Sequence, residues 1–258
     1  MKSSWGSVVL VAVLAGQAAV PSRAETVRVF AAASLNEAFR DIGSLYRTQN
    51  PGDAVEFNFA GSEILRTQIE EGAPADVFAA ADHVHMEALQ GKGLVGQDVV
   101  FARNRLVVVT PSENPEVQQL VDLARPGERI VVASGNVPVG RYTTQVLGKM
   151  TRSGLYGADF HQRFLANVVS QETNVRAVLA KVSLGEADAG VVYATDARTV
   201  AEKVRVLEIP ENMNVVAEYP IATISRDPAK EGAARFVALV RSEAGQAFLV
   251  KRGFEPAP

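Results

Sequence analysis

The stretch Val29–Phe39, VFAAASLNEAF, joins an apolar strand-like run to the first turn of a predicted helix. Ser34 and Glu37 fit the capping box S-x-x-E, in which both side chains accept hydrogen bonds from backbone N–H groups at a helix start. A second interpretation is that the three alanines leave space for a ligand that Ser34 binds. The two interpretations are compatible, because a hydroxyl can accept one hydrogen bond and donate another.

The alternation of strand and helix seen at this junction continues along the chain and predicts an α/β fold with mostly parallel sheets. The last helical pattern, 231–253, is expected to break near Gly245. The predicted strands are TVRVFAA (26–32), AVEFNFA (54–60), ADVFAAA (75–81), RLVVVTP (105–111), RIVVAS (129–134), AGVVYA (189–194) and YPIATIS (219–225).

The first 24 residues have the pattern of a secretory signal peptide. Lys2 precedes the apolar run SVVLVAVLAGQAAV, and the small residues Ser22 and Ala24 predict cleavage after Ala24. The run is shorter than the roughly 20 apolar residues that a membrane-spanning helix needs. We therefore expect export of the remaining chain.

Composition narrows the class of protein further. The chain of 258 residues is 47% hydrophobic and 21% charged, as in ordinary globular domains. It contains no cysteine, which excludes disulfides, thiol catalysis, thiolate metal sites and a lipid-modified cysteine. An exported chain without such an anchor is expected in the free periplasm. Removing Lys2 and Arg23 changes the formal charge from −3 to −5, which disfavours nucleic acid as a partner.

Four strand-to-helix junctions share one chemistry. The backbone N–H groups at a helix start lack intrahelical acceptors, and together with the helix dipole they favour anions. In open α/β sheets, ligands lie beyond the carboxyl ends of the strands. The junctions are AAAS before Leu35, FAGS before Glu63, NVPVGRY around Arg141 and SQETNV around Arg176.

Six ordered blocks make the chain resemble the periplasmic molybdate-binding proteins of ABC transporters, a bacterial solute-binding protein family. The blocks are VFAAASL, GAPADVFAAAD, RLVVVTP, VPVGRYTTQVL, VRAVL…GEADAGVVYATDA and EYPIA. The resemblance implies a two-lobed periplasmic-binding-protein fold of type II, with the ligand in the interlobe cleft. Lobe 1 would hold residues 25–105 and 218–258, lobe 2 would hold 106–217, and the hinge would lie near ARNRL and AEYPI.

The resemblance also implies the residues that contact the oxyanion. Ser34 and Ser62 would each give a hydroxyl and a backbone N–H. Val139 and Val175 would each give a backbone N–H, and Tyr193 its phenolic O–H. The function implied is capture of molybdate or tungstate and delivery to an inner-membrane ABC permease, by a monomer that is no enzyme and holds no cofactor or metal cation.

A shell made only of donors selects fully deprotonated anions, whereas phosphate near neutral pH retains a proton that needs an acceptor. Sulfate, which has the same charge and shape as molybdate, stays an alternative ligand, as does phosphate. An exported hydrolase with Ser34 as nucleophile is a further alternative, although no GxSxG elbow is present.

Glu63 departs from the family pattern, which commonly has a small or neutral residue after the second serine. As the first residue of a helix, it is expected to favour the helix dipole and to point to solvent. Turned inward, its carboxylate would repel a dianion. Asp82, His83, His85 and Met86 could suggest a metal site, but histidines two residues apart face different sides of a helix.

Overall fold

The computed structural model describes residues 24–113, 115–225, 228 and 230–257. The predicted signal peptide, apart from Ala24, lies outside the described residues. The strands are β1 Thr26–Ala32, β2 Ala54–Ala60, β3 Val77–Ala79, β4 Val99–Pro111, β5 Ile130–Ala133, β6 Val168–Glu172, β7 Ala189–Tyr193, β8 Val204–Glu208, β9 Val216–Thr223 and β10 Glu255–Pro256. The α-helices are α1 Asn36–Gln49, α2 Ser62–Glu70, α3 His83–Gln90, α4 Pro138–Arg152, α5 Phe160–Ala166, α6 Val175–Ser183, α7 Ala194–Arg198, α8 Glu231–Arg241 and α9 Glu243–Lys251.

One sheet runs through the described chain in the order β2-β1-β3-β9-β4-β7-β5-β6, and β8 and β10 also pair with β4. The outer strands pair in parallel, namely β1 with β2 and β3, and β5 with β6 and β7. The central strands β4 and β9 pair antiparallel to each other. The predicted α/β class is confirmed, and the antiparallel pairs lie where the chain crosses the middle of the sheet.

Strand β4 belongs to two parts of the sheet. Residues 99–105 pair with β9, whereas residues 106–111 pair with β7 or β8. We call the elements around β2, β1, β3, β9 and the start of β4 the first half, and those around the end of β4, β5, β6, β7 and β8 the second half. Helices α1, α2, α3, α8 and α9 pack in the first half, and α4, α5, α6 and α7 in the second.

Aromatic packing explains why α1 lies against the first half of the sheet. The Phe39 ring contacts Phe101 of β4 and Phe236 of α8, with centroid separations of 5.7 and 5.8 Å. All three side chains are buried, and each contributes about 1.5–3 kcal/mol by leaving water.

Several predicted boundaries differ from those in the structure, and two of the differences have a clear cause. Strand β4 begins at Val99 rather than at Arg105, because the polar residues 103–105 that interrupt the apolar pattern still pair with β9. The last helix breaks at Ser242 rather than near Gly245, because the Ser242 hydroxyl caps a new helix by accepting from the Gly245 N–H. Among the described helices, none has the length and apolar character needed to cross a membrane.

Candidate functional site

A small cavity lies where elements of the two halves meet, beyond the ends of β1, β2 and β7. Its volume is about 10 Å³, close to the space that a single water needs. A cavity this small disfavours large ligands such as a sugar phosphate or a peptide. Its described lining residues are all uncharged: Ala32, Ala33, Ser34, Ala60, Gly61, Ser62, Ala81, Val137, Pro138, Val139, Asn174, Val175 and Tyr193. The five residues named from the sequence are all among them.

The parallel register of β1 and β2 brings the two serines together. Ala32 pairs with Ala60, so Ser34 and Ser62 each follow the paired ends by two residues. Both serines are buried. The Ser62 hydroxyl accepts a hydrogen bond of 3.1 Å from the Ala81 N–H, which leaves its own hydrogen available to a ligand.

Ser34 is not the N-cap that its capping-box pattern predicted, and Ser62 is not an N-cap either. Ser34 lies within a short 3-10 turn, Ala33–Leu35, and its hydroxyl caps no helix. Glu37 pairs with Arg176 of the second half instead of closing a capping box. Ser62 is the first residue of α2, whose N-cap is Gly61. At the first junction, the contact of Glu37 with Arg176 takes the place of the local capping box.

Two helices of the second half begin at the cavity. Val139 is the second residue of α4 and Val175 is the first residue of α6. Residues in these positions have no carbonyl one turn earlier to accept from their backbone N–H groups. The N-cap of α6 is Asn174, whose side chain accepts from the Ala177 N–H at 3.0 Å. The N–H groups of Val139 and Val175 are thus donors at the positive ends of two helix dipoles.

Two glycines permit the close approaches that form this cavity. A Cβ atom at Gly140 would clash with the carbonyl oxygens of Ala133 and Ser134, so only glycine lets α4 start this near to β5. A Cβ atom at Gly61 would clash with the Thr173 carbonyl oxygen of the other half. Both glycines are therefore required by packing between backbones.

Tyr193 ends β7 and supplies the third side-chain hydroxyl of the cavity wall. Its side chain is buried, and its Oη has no hydrogen-bond partner among the described residues. Burial raises its pKa well above the ordinary value, so the phenol keeps its proton. A buried O–H without an acceptor costs free energy, and a ligand oxygen in the cavity would supply that acceptor.

A buried network behind Ser34 was missed by the sequence reasoning. The hydroxyls of Ser34 and Tyr219 are 3.0 Å apart, and Asn104 Nδ2 donates to Tyr219 Oη at 3.4 Å and to Thr195 Oγ1 at 2.8 Å. Since Asn104 donates to Tyr219, the phenol is free to donate to Ser34, which leaves the Ser34 hydrogen for a ligand. Tyr219 stands in the quoted block EYPIA, but no local pattern reveals a contact with Ser34.

The expectation that Glu63 points to solvent was wrong. Its side chain is only 7% exposed, its Oε2 has no partner among the described residues, and its carboxylate lies against Gly61. Burial raises its pKa to about 7, helped by the nearby Asp82 charge and opposed by Arg141 and Arg66. Glu63 does not line the cavity. It is a partly neutral carboxyl beside the site and not a ligand contact.

The residues weighed for a metal site have other partners. Asp82 caps α3 by accepting from the His85 N–H and pairs with Arg141 at 2.5 Å. His83 Nε2 lies 3.1 Å from Glu218 Oε2, and His85 Nε2 lies 2.9 Å from the Asn136 carbonyl oxygen. Within the described ranges no three His, Cys, Asp or Glu residues are grouped so that they could hold a metal ion.

Comparison with known proteins shows which family the chain belongs to. The chain matches the family of bacterial extracellular solute-binding proteins over residues 27–255. It is 41% identical over 233 residues to the molybdate-binding protein ModA of Mycobacterium tuberculosis, covering 90% of this chain and 85% of that one. It is 32% identical over 246 residues to ModA of Haemophilus influenzae, covering 88% and 89%.

A solved structure shares the fold. The periplasmic molybdate-binding protein of Azotobacter vinelandii superposes with a TM-score of 0.76 at 23% identity, covering 90% of this chain and all of that one. At this identity the likeness concerns the fold alone. The matches cover nearly the whole described chain and include every element that contributes to the cavity. The chain therefore belongs to the bacterial extracellular solute-binding protein family, whose members bind solutes rather than catalyse reactions.

Proposed function

We propose that this protein captures molybdate, and tungstate in the same way, in the cavity between its two halves. The observation that carries the proposal is a set of neutral donors around one small uncharged cavity: the hydroxyl and N–H groups of Ser34 and Ser62, the N–H groups of Val139 and Val175, and the Tyr193 O–H. The relatives named as molybdate-binding proteins support this ligand.

The donor set fits a fully deprotonated tetrahedral oxyanion. A buried dianion is stable only when its oxygens accept hydrogen bonds, and donors on five different elements can reach oxygens that point in different directions. The hydrogen atoms of neutral N–H and O–H donors carry partial positive charges that stabilise the negative oxygens. No arginine is therefore needed in contact with the ion. The hydrolase alternative is not supported, because the partner of the Ser34 hydroxyl is Tyr219 and not a histidine.

Calorimetric titration of the chain from residue 25 onward tests the proposal. We expect saturable one-to-one binding of molybdate and tungstate, and much weaker binding of sulfate and phosphate. Tyr193→Phe is the matched variant, because it removes one donor from the cavity and keeps the ring. Absence of molybdate binding at millimolar concentration, or phosphate binding as tight as molybdate binding, would contradict the proposal.

The division into lobes is part of the same proposal. Lobe 1 comprises residues 25–105 and 218–258, and lobe 2 comprises 106–217. The crossings in β4 near ARNRL and in β9 near AEYPI act as the hinge, which is supported by the change of pairing partners within β4. Hinge bending would open the cavity to solvent and close it over the ion.

The cellular setting follows from the family and from the sequence. We place the protein in the periplasm after cleavage behind Ala24, where as a monomer it delivers its anion to an inner-membrane ABC permease. The family description as extracellular supports export. Mass spectrometry of the protein recovered from a periplasmic fraction would locate the new N-terminus, and a mass that includes residues 1–24 would contradict the cleavage.

A further inference from the structure

Both second-half helices that begin at the cavity carry an arginine that reaches the first half. On α4, Arg141 follows Val139 by two residues, and its Nη2 lies 2.5 Å from Asp82 Oδ2. On α6, Arg176 follows Val175 directly, and its Nη2 lies 2.5 Å from Glu37 Oε2. Each ion pair therefore joins a helix N-terminus at the cavity to the opposite half.

The acidic partners stand beside the serines of the cavity. Glu37 follows Ser34 by three residues in α1. Asp82 directly follows Ala81, which donates its N–H to the Ser62 hydroxyl. Moving the halves apart would separate Arg141 from Asp82 and Arg176 from Glu37. The same movement would separate the two serines from the N–H groups of Val139 and Val175.

These pairs are shielded from water more than ordinary surface pairs. The side chains of Asp82 and Arg141 are 3% and 28% exposed, and those of Arg176 and Glu37 are 25% and 33% exposed. In each ion pair, one residue is also held in place by a further contact. Asp82 is fixed as the cap of α3, and Arg176 Nε pairs at 2.5 Å with Asp196, which is fully buried. Removing one partner of such a shielded pair costs more than in an exposed pair, because the remaining charge stays partly desolvated.

We propose that Arg141 and Arg176 are positioning residues for anion capture, holding the closed form through Asp82 and Glu37 without touching the ion. The inference rests on the proposed function, since it assigns these residues to the same site. Interactions that exist only in the closed form slow its opening and leave encounter with the ion almost unchanged. The two pairs therefore set the dissociation rate, koff, more than the association rate, kon.

The test uses Glu37→Gln and Arg141→Gln, alone and combined, in the chain from residue 25 onward. Arg176 itself is left in place, because it also pairs with Asp196 of its own half, so its loss would not isolate the contact between the halves. Arg129→Gln is the matched control. Arg129 pairs with Asp188 at 2.6 Å, and both residues lie in the second half.

Dissociation is measured by chasing bound radioactive molybdate with an excess of unlabelled molybdate. We expect each single variant to raise koff roughly 3- to 10-fold, with the effects multiplying in the combined variant. The association rate should stay within about twofold of wild type, and Arg129→Gln should leave both rates unchanged. Unchanged koff in both single variants, or an equal rise in Arg129→Gln, would overturn the inference.

Small-angle X-ray scattering of the anion-free protein separates this inference from the proposed function. The combined variant should have a larger radius of gyration than wild type, because its closed form is less populated. An identical radius of gyration would overturn the inference, whatever the anion result. Failure of wild type to bind molybdate would defeat the proposed function, and the scattering comparison would still decide whether the pairs hold the halves together.

Discussion

The hydroxyl oxygens of Ser34 and Tyr219 lie 3.0 Å apart although 185 positions separate the two residues in the chain. Ser34 lies just beyond β1, and Tyr219 lies in β9, on the far side of β3 in the sheet. The contact links the cavity wall to the central strands, where β4 and β9 run between the two halves. It also orients the Ser34 hydroxyl, because Tyr219 occupies one side of the serine oxygen and leaves its hydrogen for the cavity.

Loss of the Tyr219 hydroxyl should therefore weaken anion binding without changing the cavity wall. For Tyr219→Phe we expect molybdate Kd to rise roughly 3- to 10-fold, since one orienting hydrogen bond contributes about 0.5–1.5 kcal/mol. Calorimetry gives the Kd. Tyr156→Phe is the control, because Tyr156 packs against Phe160 away from the cavity. An unchanged Kd in Tyr219→Phe would show that Ser34 needs no partner.

Loss of the Tyr193 hydroxyl should have opposite effects on binding and on stability. Tyr193 Oη is buried and has no partner among the described residues. Removing such a group stabilises a fold by about 1 kcal/mol. We therefore expect Tyr193→Phe to raise the free energy of unfolding in urea while Kd for molybdate rises roughly 10-fold. If the free energy of unfolding and the affinity for molybdate both decreased, the hydroxyl would have a structural partner in the folded protein.

Gly140 should tolerate no larger residue. In Gly140→Ala the new Cβ would clash with the carbonyl oxygens of Ala133 and Ser134. We expect a loss of about 1–3 kcal/mol in the free energy of unfolding, as for other overpacked sites, together with weaker anion binding because the start of α4 must move. Gly135→Ala is the matched control in the loop before α4, since no atom lies within 4 Å of its Cβ position. Equal stabilities of the two variants would contradict the close approach.

Glu63 should make stability depend on pH. Its ordinary pKa is 4.5, and in the folded protein burial raises the pKa to about 7. Between these values the folded chain holds a proton that the unfolded chain has lost, so the free energy of unfolding falls as pH rises through this window. Glu63→Gln removes that dependence. We expect its melting temperature to rise relative to wild type from about pH 5 to pH 8, which scanning calorimetry measures.

The same carboxyl should make anion binding depend on pH. Above about pH 7 Glu63 is ionised beside the cavity and repels a dianion, so molybdate Kd should increase from about pH 6 to pH 8 in wild type. Glu63→Gln should show a flat profile over this range. Glu71→Gln is the control, because Glu71 is an exposed carboxylate just after the same helix. A wild-type profile that is flat as well would show that the Glu63 charge does not reach the ion.

Much of the secondary structure was predictable because the sequence patterns that indicate it extend over only a few neighbouring residues. Apolar periodicity indicated the strands and helices around each junction, and the short links between strand and helix predicted parallel pairing. The four helix starts could be located because a helix start exposes its N–H groups whatever its tertiary contacts, whereas the five residues of the cavity wall came from the resemblance to the molybdate-binding family. The errors at Ser34 and Glu37 were of another kind. Their local pattern favoured a capping box, but Tyr219 and Arg176 approach from distant parts of the chain and take over both side chains.

The sequence by itself determined the α/β class, the positions of the helix starts and the absence of thiol chemistry, because these depend on residue type and on spacing along the chain. Only the tertiary structure decided that four such starts meet at one cavity, that Glu63 is buried and that Arg141 and Arg176 reach the opposite half. The physical reason is that burial and charge pairing depend on distances through space. Those distances are set by the register of β1 with β2 and by the passage of β4 between the two halves, and no short stretch of sequence contains them.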